Sequence, residues 1–211
     1  MAAAFVIALL GAESTGKTTL SAELSSALAR QGRRVEVVAE YLREFCDANG
    51  RTPRVGEQAG IAHEQSARID AAAGRADIVV ADTSALMIAV YSDWVFGDRS
   101  LYAEAGRAHA RCDLTLLSAL DLPWRSDGLQ RDGEHVRVPI DSLVRSALQR
   151  ASCGWSLVSG SGPLRTERAL AAVAHALAMH ERPALRTGAA RWQWVCERCG
   201  ESACERHLLP R

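Results

Sequence analysis

Lysine is almost missing from this chain of 211 residues. Lys17 stands alone against 24 arginines, although basic and acidic residues balance at 25 each. Arginine is used along the whole chain, so the one position that keeps a compact, strongly hydrated ammonium is marked out. The balanced charge leaves no overall field to hold nucleic acid or an anionic membrane, and neither is expected as a partner. No stretch reaches the ~18–20 apolar residues of a membrane span. There is no internal repeat. With 48% hydrophobic and 24% charged residues, the composition excludes a disordered or collagen-like chain. The apolar start, residues 1–12, lacks the basic flank of a secretory signal, and cleavage near Ala12 would cut into the motif described below. It reads as a buried strand. Cys46, Cys112 and Cys153 stand singly and suit reduced core thiols in a cytoplasmic setting, whereas Cys196, Cys199 and Cys204 crowd near the C-terminus.

What the chain does have is alternation. The apolar patterning predicts strands over 5–10, 35–39, 77–81, 114–117 and 155–158. Helices are expected over 18–30, 41–48, 56–74, 84–95, 101–111, 140–150 and 166–180. Strands alternating with helices give an α/β fold with a parallel five-stranded sheet flanked by helices. The polar segment 121–138 reads as an irregular flap. Residues 1–182 make one domain, 183–190 a linker, and 191–211 a tail bearing Trp and Cys.

The strongest local signal follows the first strand. Gly11-Ala-Glu-Ser14-Thr15-Gly16-Lys17-Thr18 matches G-x4-G-K-[ST], with Thr19 next. The glycines let the backbone wrap so that successive N–H groups face phosphate oxygens, and the helix that follows adds its positive end. Lys17 would reach the β- and γ-phosphates of ATP, and the Thr18 hydroxyl would ligate Mg²⁺. No G-x-G-x-x-G turn supports a dinucleotide site. Two acids close strands, where ligands of open parallel sheets bind. Asp82 ends the third strand and suits either the metal's shell or the N-cap of the next helix. Glu40 ends the second strand and suits either a base for an attacking hydroxyl or a solvated first-turn carboxylate.

These pieces occur together with others in a recognisable order. Glu40-Tyr41-Leu42-Arg43-Glu44-Phe45, Ala81-Asp82-Thr83 and Pro123-Trp124-Arg125-Ser126-Asp127-Gly128-Leu129 follow the phosphate loop. Over residues 4–182 the chain resembles the ribosylnicotinamide kinase domain of NadR and its stand-alone P-loop relatives. The resemblance implies a P-loop core of the nucleoside and nucleotide kinase kind. It implies transfer of phosphate from ATP, with Mg²⁺, to the 5′-hydroxyl of nicotinamide riboside. On that resemblance Glu40 is the base and Tyr41 and Arg43 lie on the substrate side. The flap 121–138 is a lid whose Arg125 and Arg131 cover the transferring phosphoryl. Asp127 would accept sugar hydroxyls, Trp124 either stacks on a ring or anchors the lid, and loop 159–165 lodges adenine. Relatives read Asp-Gly-Leu-Arg in the lid, whereas here Gln130 precedes Arg131. Before Glu40 and along 56–74 the residues are small or polar, Ala39, Ser66 and Ala67 among them, so no aromatic pair to clamp a nicotinamide ring is evident.

In the tail, Cys196, Cys199, Cys204 and His207 offer four soft ligands in twelve residues, a set suited to tetrahedral Zn²⁺. A disordered thiol-rich tail and an adventitious disulfide are the competing readings. The sequence therefore points to a cytoplasmic nucleoside kinase using ATP and Mg²⁺, able to form a homo-oligomer. The alternative is a P-loop ATPase serving as a regulatory switch, with a protein or nucleic-acid partner read through the tail.

Overall fold

Strand β1, Phe5–Leu10, is buried at every position and forms the middle of the sheet. It pairs in parallel with β3, Ile78–Asp82, on one side and with β4, Leu114–Ser118, on the other. Strands β2, Val35–Val38, and β5, Ser156–Val158, complete the order β2-β3-β1-β4-β5, all parallel. This is the five-stranded α/β architecture read from the alternation. The structure, a computed structural model, describes residues 4–125 and 133–181. The chain divides into units 1–177 and 178–211, and the fold described here is that of the first. The expected linker and Cys-bearing tail lie outside the described residues, as do Cys196, Cys199, Cys204 and His207.

Period-two alternation along the strands splits the core into two faces. Phe5, Ile7 and Leu9 meet Leu20, Leu24 and Leu28 of α1 (Lys17–Arg30) and Ala169 and Val173 of α7 (Gly162–His180). Ala4, Val6 and Ala81 meet Ile69 and Ala72 of α3 (Gln58–Ala73). Further along that side, Leu10 and Leu117 join α4 (Ala85–Phe96), α5 (Tyr102–His109) and α6 (Arg137–Arg150) in the largest cluster. Helix α2, Tyr41–Asn49, follows β2, and a short 3₁₀ turn, Val55–Glu57, leads into α3. Among the described residues no helix is long and apolar enough to cross a membrane. Cys46, Cys112 and Cys153 are free thiols.

Most boundaries shift by a residue or two from the sequence reading, and three of the differences bear on the site. The irregular flap does not extend to Val138, because Glu134–Val136 is a 3₁₀ turn and α6 starts at Arg137. Val136 and Ile140 are fully buried, so packing carries the helix back towards the flap, and Pro139 sits in the first turn, where its missing N–H costs nothing. Helix α7 begins at Gly162, with Pro163 next to it, so the loop expected over 159–165 is only three residues long. Helix α4 begins at Ala85, capped by the Ser84 hydroxyl, which accepts from the Leu86 N–H at 3.3 Å.

Behind that cap lies a buried histidine. His109 shares hydrogen bonds with Ser84 Oγ through Nδ1 and with Thr115 Oγ1 through Nε2, both at 2.9 Å. Burial pushes its pKa from 6.5 down to about 4. Between those values the unfolded chain binds a proton that the folded chain refuses. The contribution is thus complete above pH 6.5 and is lost as pH falls towards 4, amounting to on the order of 3 kcal/mol. Urea unfolding should show the wild type losing stability from pH 7 to 5 more steeply than His109→Gln. Parallel losses in the two proteins would contradict this role.

Candidate active site

The register of the central strands sets the site. Leu9 lies level with Asp82, and Leu10 with Leu117, so the loop leaving β1 starts between the ends of β3 and β4. Gly11 has φ +147°, and a Cβ there would sit 2.9 Å from Ser118 Cβ, which leaves room for glycine alone. Ser14 and Gly16 also take positive φ, 55° and 73°. The loop is tied internally by the Thr15 hydroxyl, which donates to the Ala12 carbonyl at 2.8 Å. Lys17 Nζ donates to the carbonyls of Gly11 and Ala12, both at 2.9 Å, holding the ammonium over the loop. Gly16 caps α1 without a side chain, and the first turn carries no acid, so the N-terminal N–H groups keep their positive field. Thr18 and Thr19 are exposed at that end.

Thr18 Oγ1 donates to Asp82 Oδ2 at 2.5 Å. Asp82 is 3% exposed, and its other oxygen, Oδ1, accepts nothing among the described residues. Ser84, not Asp82, caps α4. A buried carboxylate oxygen with no donor, next to a hydroxyl at a phosphate-binding loop, is an oxygen donor set that fits a hard cation such as Mg²⁺. The adjoining Thr83 is buried with φ 91°, a strained backbone for a β-branched residue of the kind that gathers at functional sites.

Glu40 occupies the N-cap position of α2, but its side chain makes no capping bond. Its carboxylate lies 3.7 Å from Arg43 Nε. The turn is braced from α3: fully buried Gln65 accepts from the Tyr41 N–H at 2.8 Å and donates to the Ala39 carbonyl at 3.3 Å, bracketing Glu40 on both sides. Glu40 and Arg43 line one cleft together with Glu13, Ser14 and Lys17. The rest of its wall is Leu42, Cys46, Thr52, Pro53, Gln58, Tyr91, Val95 and Phe96. Burial, followed by the Asp47 and Glu40 carboxylates, raises the Cys46 pKa and keeps that thiol protonated.

The remaining sequence candidates fall elsewhere or outside. Tyr41 does not line the cleft; its ring packs beneath the Arg68 guanidinium, 4.3 Å from the ring centroid. Arg125 is exposed, and its backbone exchanges two hydrogen bonds with the Ser14 hydroxyl, its N–H donating at 2.7 Å and its carbonyl accepting at 3.2 Å. Trp124 buries an indole N–H that has no acceptor among the described residues. Asp127 and Arg131 lie outside the described residues. Arg165 belongs to α7, not to an open adenine loop. It is 4% exposed and donates to the Thr15 carbonyl at 2.7 Å, the Gly160 carbonyl at 3.2 Å and Asp121 Oδ1 at 3.3 Å.

Sequence reasoning passed over several of these residues. Tyr91 and Phe96 sit on α4, whose first six residues are all buried, so its pattern shows no favoured face. Gln65 and Arg165 act across 24 to 150 positions of chain, beyond any local signal. Arg137, directly after the flap, is 5% exposed, with Nε and Nη2 lacking acceptors among the described residues. A buried arginine in a sequence this rich in arginine leaves no mark.

A glycine-cradled loop at the start of a helix, a lysine above it and a serine/threonine–carboxylate pair beside it define the P-loop nucleoside-triphosphate fold. The chain belongs to the family described as "AAA domain", whose model matches residues 6–165. No curated protein matches the sequence. Among solved structures, NadR in complex with NAD and AMP-PNP superimposes with a TM-score of 0.67 at 21% identity, over 83% of this chain and 50% of that one. NadR in complex with NR gives 0.68 at 21% identity, over 82% and 50%. Thymidylate kinase from Ehrlichia chaffeensis gives 0.57 at 12% identity, over 82% and 99%. The chain thus spans about half the length of the NadR protein, and the fold resemblance read from the motifs is borne out.

Arg165 offers a direct check on how the loop is held. Arg165→Met removes donors from the buried Thr15 carbonyl, from the half-buried Gly160 carbonyl and from Asp121. Urea unfolding should register a loss of about 1–3 kcal/mol. An unchanged midpoint would mean that the loop's own bonds, those of Thr15 and Lys17 among them, hold it without Arg165.

Proposed function

We propose that the protein is a Mg-ATP-dependent kinase that moves the γ-phosphoryl of ATP to the 5′-hydroxyl of a small nucleoside, with nicotinamide riboside as the foremost candidate. One observation carries this reading: the phosphate-loop residues Ser14 and Lys17 share a single cleft with Glu40 and an apolar wall. An ATPase that only switches needs the phosphate loop but no adjoining cavity for a second substrate. The NadR structures described as holding NR and AMP-PNP, and the thymidylate kinase likeness, add support.

In the proposed reaction the Lys17 ammonium exchanges the Gly11 and Ala12 carbonyls for the β- and γ-phosphates, and the N–H groups opening α1 hold the phosphate chain. Thr18 and Asp82 would hold Mg²⁺, which supplies charge neutralisation at the transferring phosphoryl. Glu40 orients the nucleoside hydroxyl and accepts its proton. Gln65 fixes the backbone on either side of that carboxylate, and Arg43 stands beside it. Arg125 and Arg131 are assigned to the lid that covers the phosphoryl, with Asp127 towards the sugar and Trp124 towards a ring or the lid itself. The tail ligands Cys196, Cys199, Cys204 and His207 are assigned to a structural zinc.

The test is ADP release from ATP with and without a panel of nucleosides, with mass analysis of the product. One nucleoside should accelerate release and appear as its monophosphate. Glu40→Gln should lower that transfer by roughly 10²–10⁴-fold while leaving the KM for ATP nearly unchanged. Slow turnover indifferent to every nucleoside would replace the kinase by the ATP-driven switch.

A further inference from the structure

The cleft has a part that phosphate chemistry does not use. Leu42, Pro53, Tyr91, Val95 and Phe96 give it an apolar wall with two aromatic rings, a surface suited to a flat heterocycle. Phe96 and Val95 are 40% and 55% exposed, so this wall still has apolar area to cover. Gln58 belongs to the same wall, yet is only 4% exposed, and its Oε1 accepts no hydrogen bond among the described residues. A buried amide oxygen left without a donor is destabilising, and an N–H arriving with a ligand in the cleft would satisfy it.

The position of Gln58 is fixed with unusual care. It is the first residue of α3, directly after the turn Val55–Glu57. Glu57 accepts from Arg51 Nη1 and Nη2 at 2.8 and 2.7 Å and from the Arg54 N–H at 2.7 Å. A clamp of three charge-assisted bonds one residue before an amide whose oxygen lacks a donor among the described residues fits a group that must present itself in one place.

We infer that Gln58 determines specificity by reading the edge of the base. Its amide oxygen accepts from an N–H donor, so the cleft takes a nucleoside whose ring carries a carboxamide and rejects the analogue with a carboxylate. The carboxylate has no proton to give and would set acceptor against acceptor. A site built around such a bond discriminates more strongly than an apolar pocket, because the wrong ligand leaves a buried group unsatisfied. This inference rests on the nucleoside-kinase reading and adds to it the residue that chooses between an uncharged carboxamide and a carboxylate on a pyridinium ring.

The experiment compares nicotinamide riboside with nicotinic acid riboside, measuring kcat and KM for phosphorylation and, separately, nucleoside binding by calorimetry. Wild type should favour the carboxamide by at least about 10-fold in kcat/KM. Gln58→Leu should raise KM for nicotinamide riboside roughly 10–100-fold with kcat little changed, and the preference should collapse. Gln58→Glu keeps the shape and an acceptor. It should retain the preference and reject the carboxylate more strongly, which separates base reading from simple damage to α3. Thermal melting of each variant reports whether it folds. Equal losses on both nucleosides in folded variants, or a wild-type preference for the carboxylate, would overturn the inference while leaving the kinase reading intact. No phosphorylation and no binding of either nucleoside by wild type would overturn both.

Discussion

The hydrogen bond from Thr18 to Asp82 joins the first turn of α1 to the end of β3, and the geometry of the whole site follows from it. It exists because β1 and β3 pair with Leu9 level with Asp82, so a loop of six residues brings Thr18 back over the strand end. The same register puts Ser118 of β4 against Gly11 from the other side. A sheet ordered β2-β3-β1-β4-β5 therefore holds the phosphate loop between two neighbours and turns both strand ends towards it. Local strain collects at this point. Ser14 and Thr83, neither of them glycine, take positive φ, at about 1–3 kcal/mol each.

What keeps the strained loops in place is a set of buried polar braces. Arg165 joins Thr15, Gly160 and Asp121, linking the phosphate loop, the turn after β5 and the start of the flap. Asp121 also accepts from the Gly160 N–H at 2.5 Å. Gln65 brackets Glu40, and His109 ties Ser84 to Thr115 below the Asp82 turn. Each brace spans two or three elements, so each converts packing of the helices into placement of a site residue. Burial makes such bonds worth most where every member is satisfied; in Arg165 both Nη atoms donate and Nε has no acceptor among the described residues. Two of the buried oxygens that lack donors among the described residues, Asp82 Oδ1 and Gln58 Oε1, lie beside the phosphate loop and in the wall of the cleft.

The sequence made some of this plain and could not show the rest. The phosphate loop was legible because its logic is local: eight consecutive residues carry the turn, the donors and the lone lysine. The strands were legible from apolar runs. Asp82 was ambiguous, since an acid after a strand suits a cap as well as a cation, and Ser84 taking the cap resolves the first half of that choice. The apolar wall of the cleft was hidden. Tyr91 and Phe96 sit in a helix with apolar residues on every side, and only the fold shows which of them meets the cleft. Arg165 was expected in an adenine loop because the start of α7 carries glycines and a proline, which read as loop until packing extends the helix through them.

The proposed kinase requires Thr18 and Asp82 to form the cation side of a phosphate site. Calorimetric titration of a non-hydrolysable ATP analogue, with Mg²⁺ and with chelator, decides whether they do. Wild type should bind about 10-fold or more tightly with the metal, and Asp82→Asn should lose that difference while keeping the metal-free affinity. Equal metal dependence in both proteins would contradict the account.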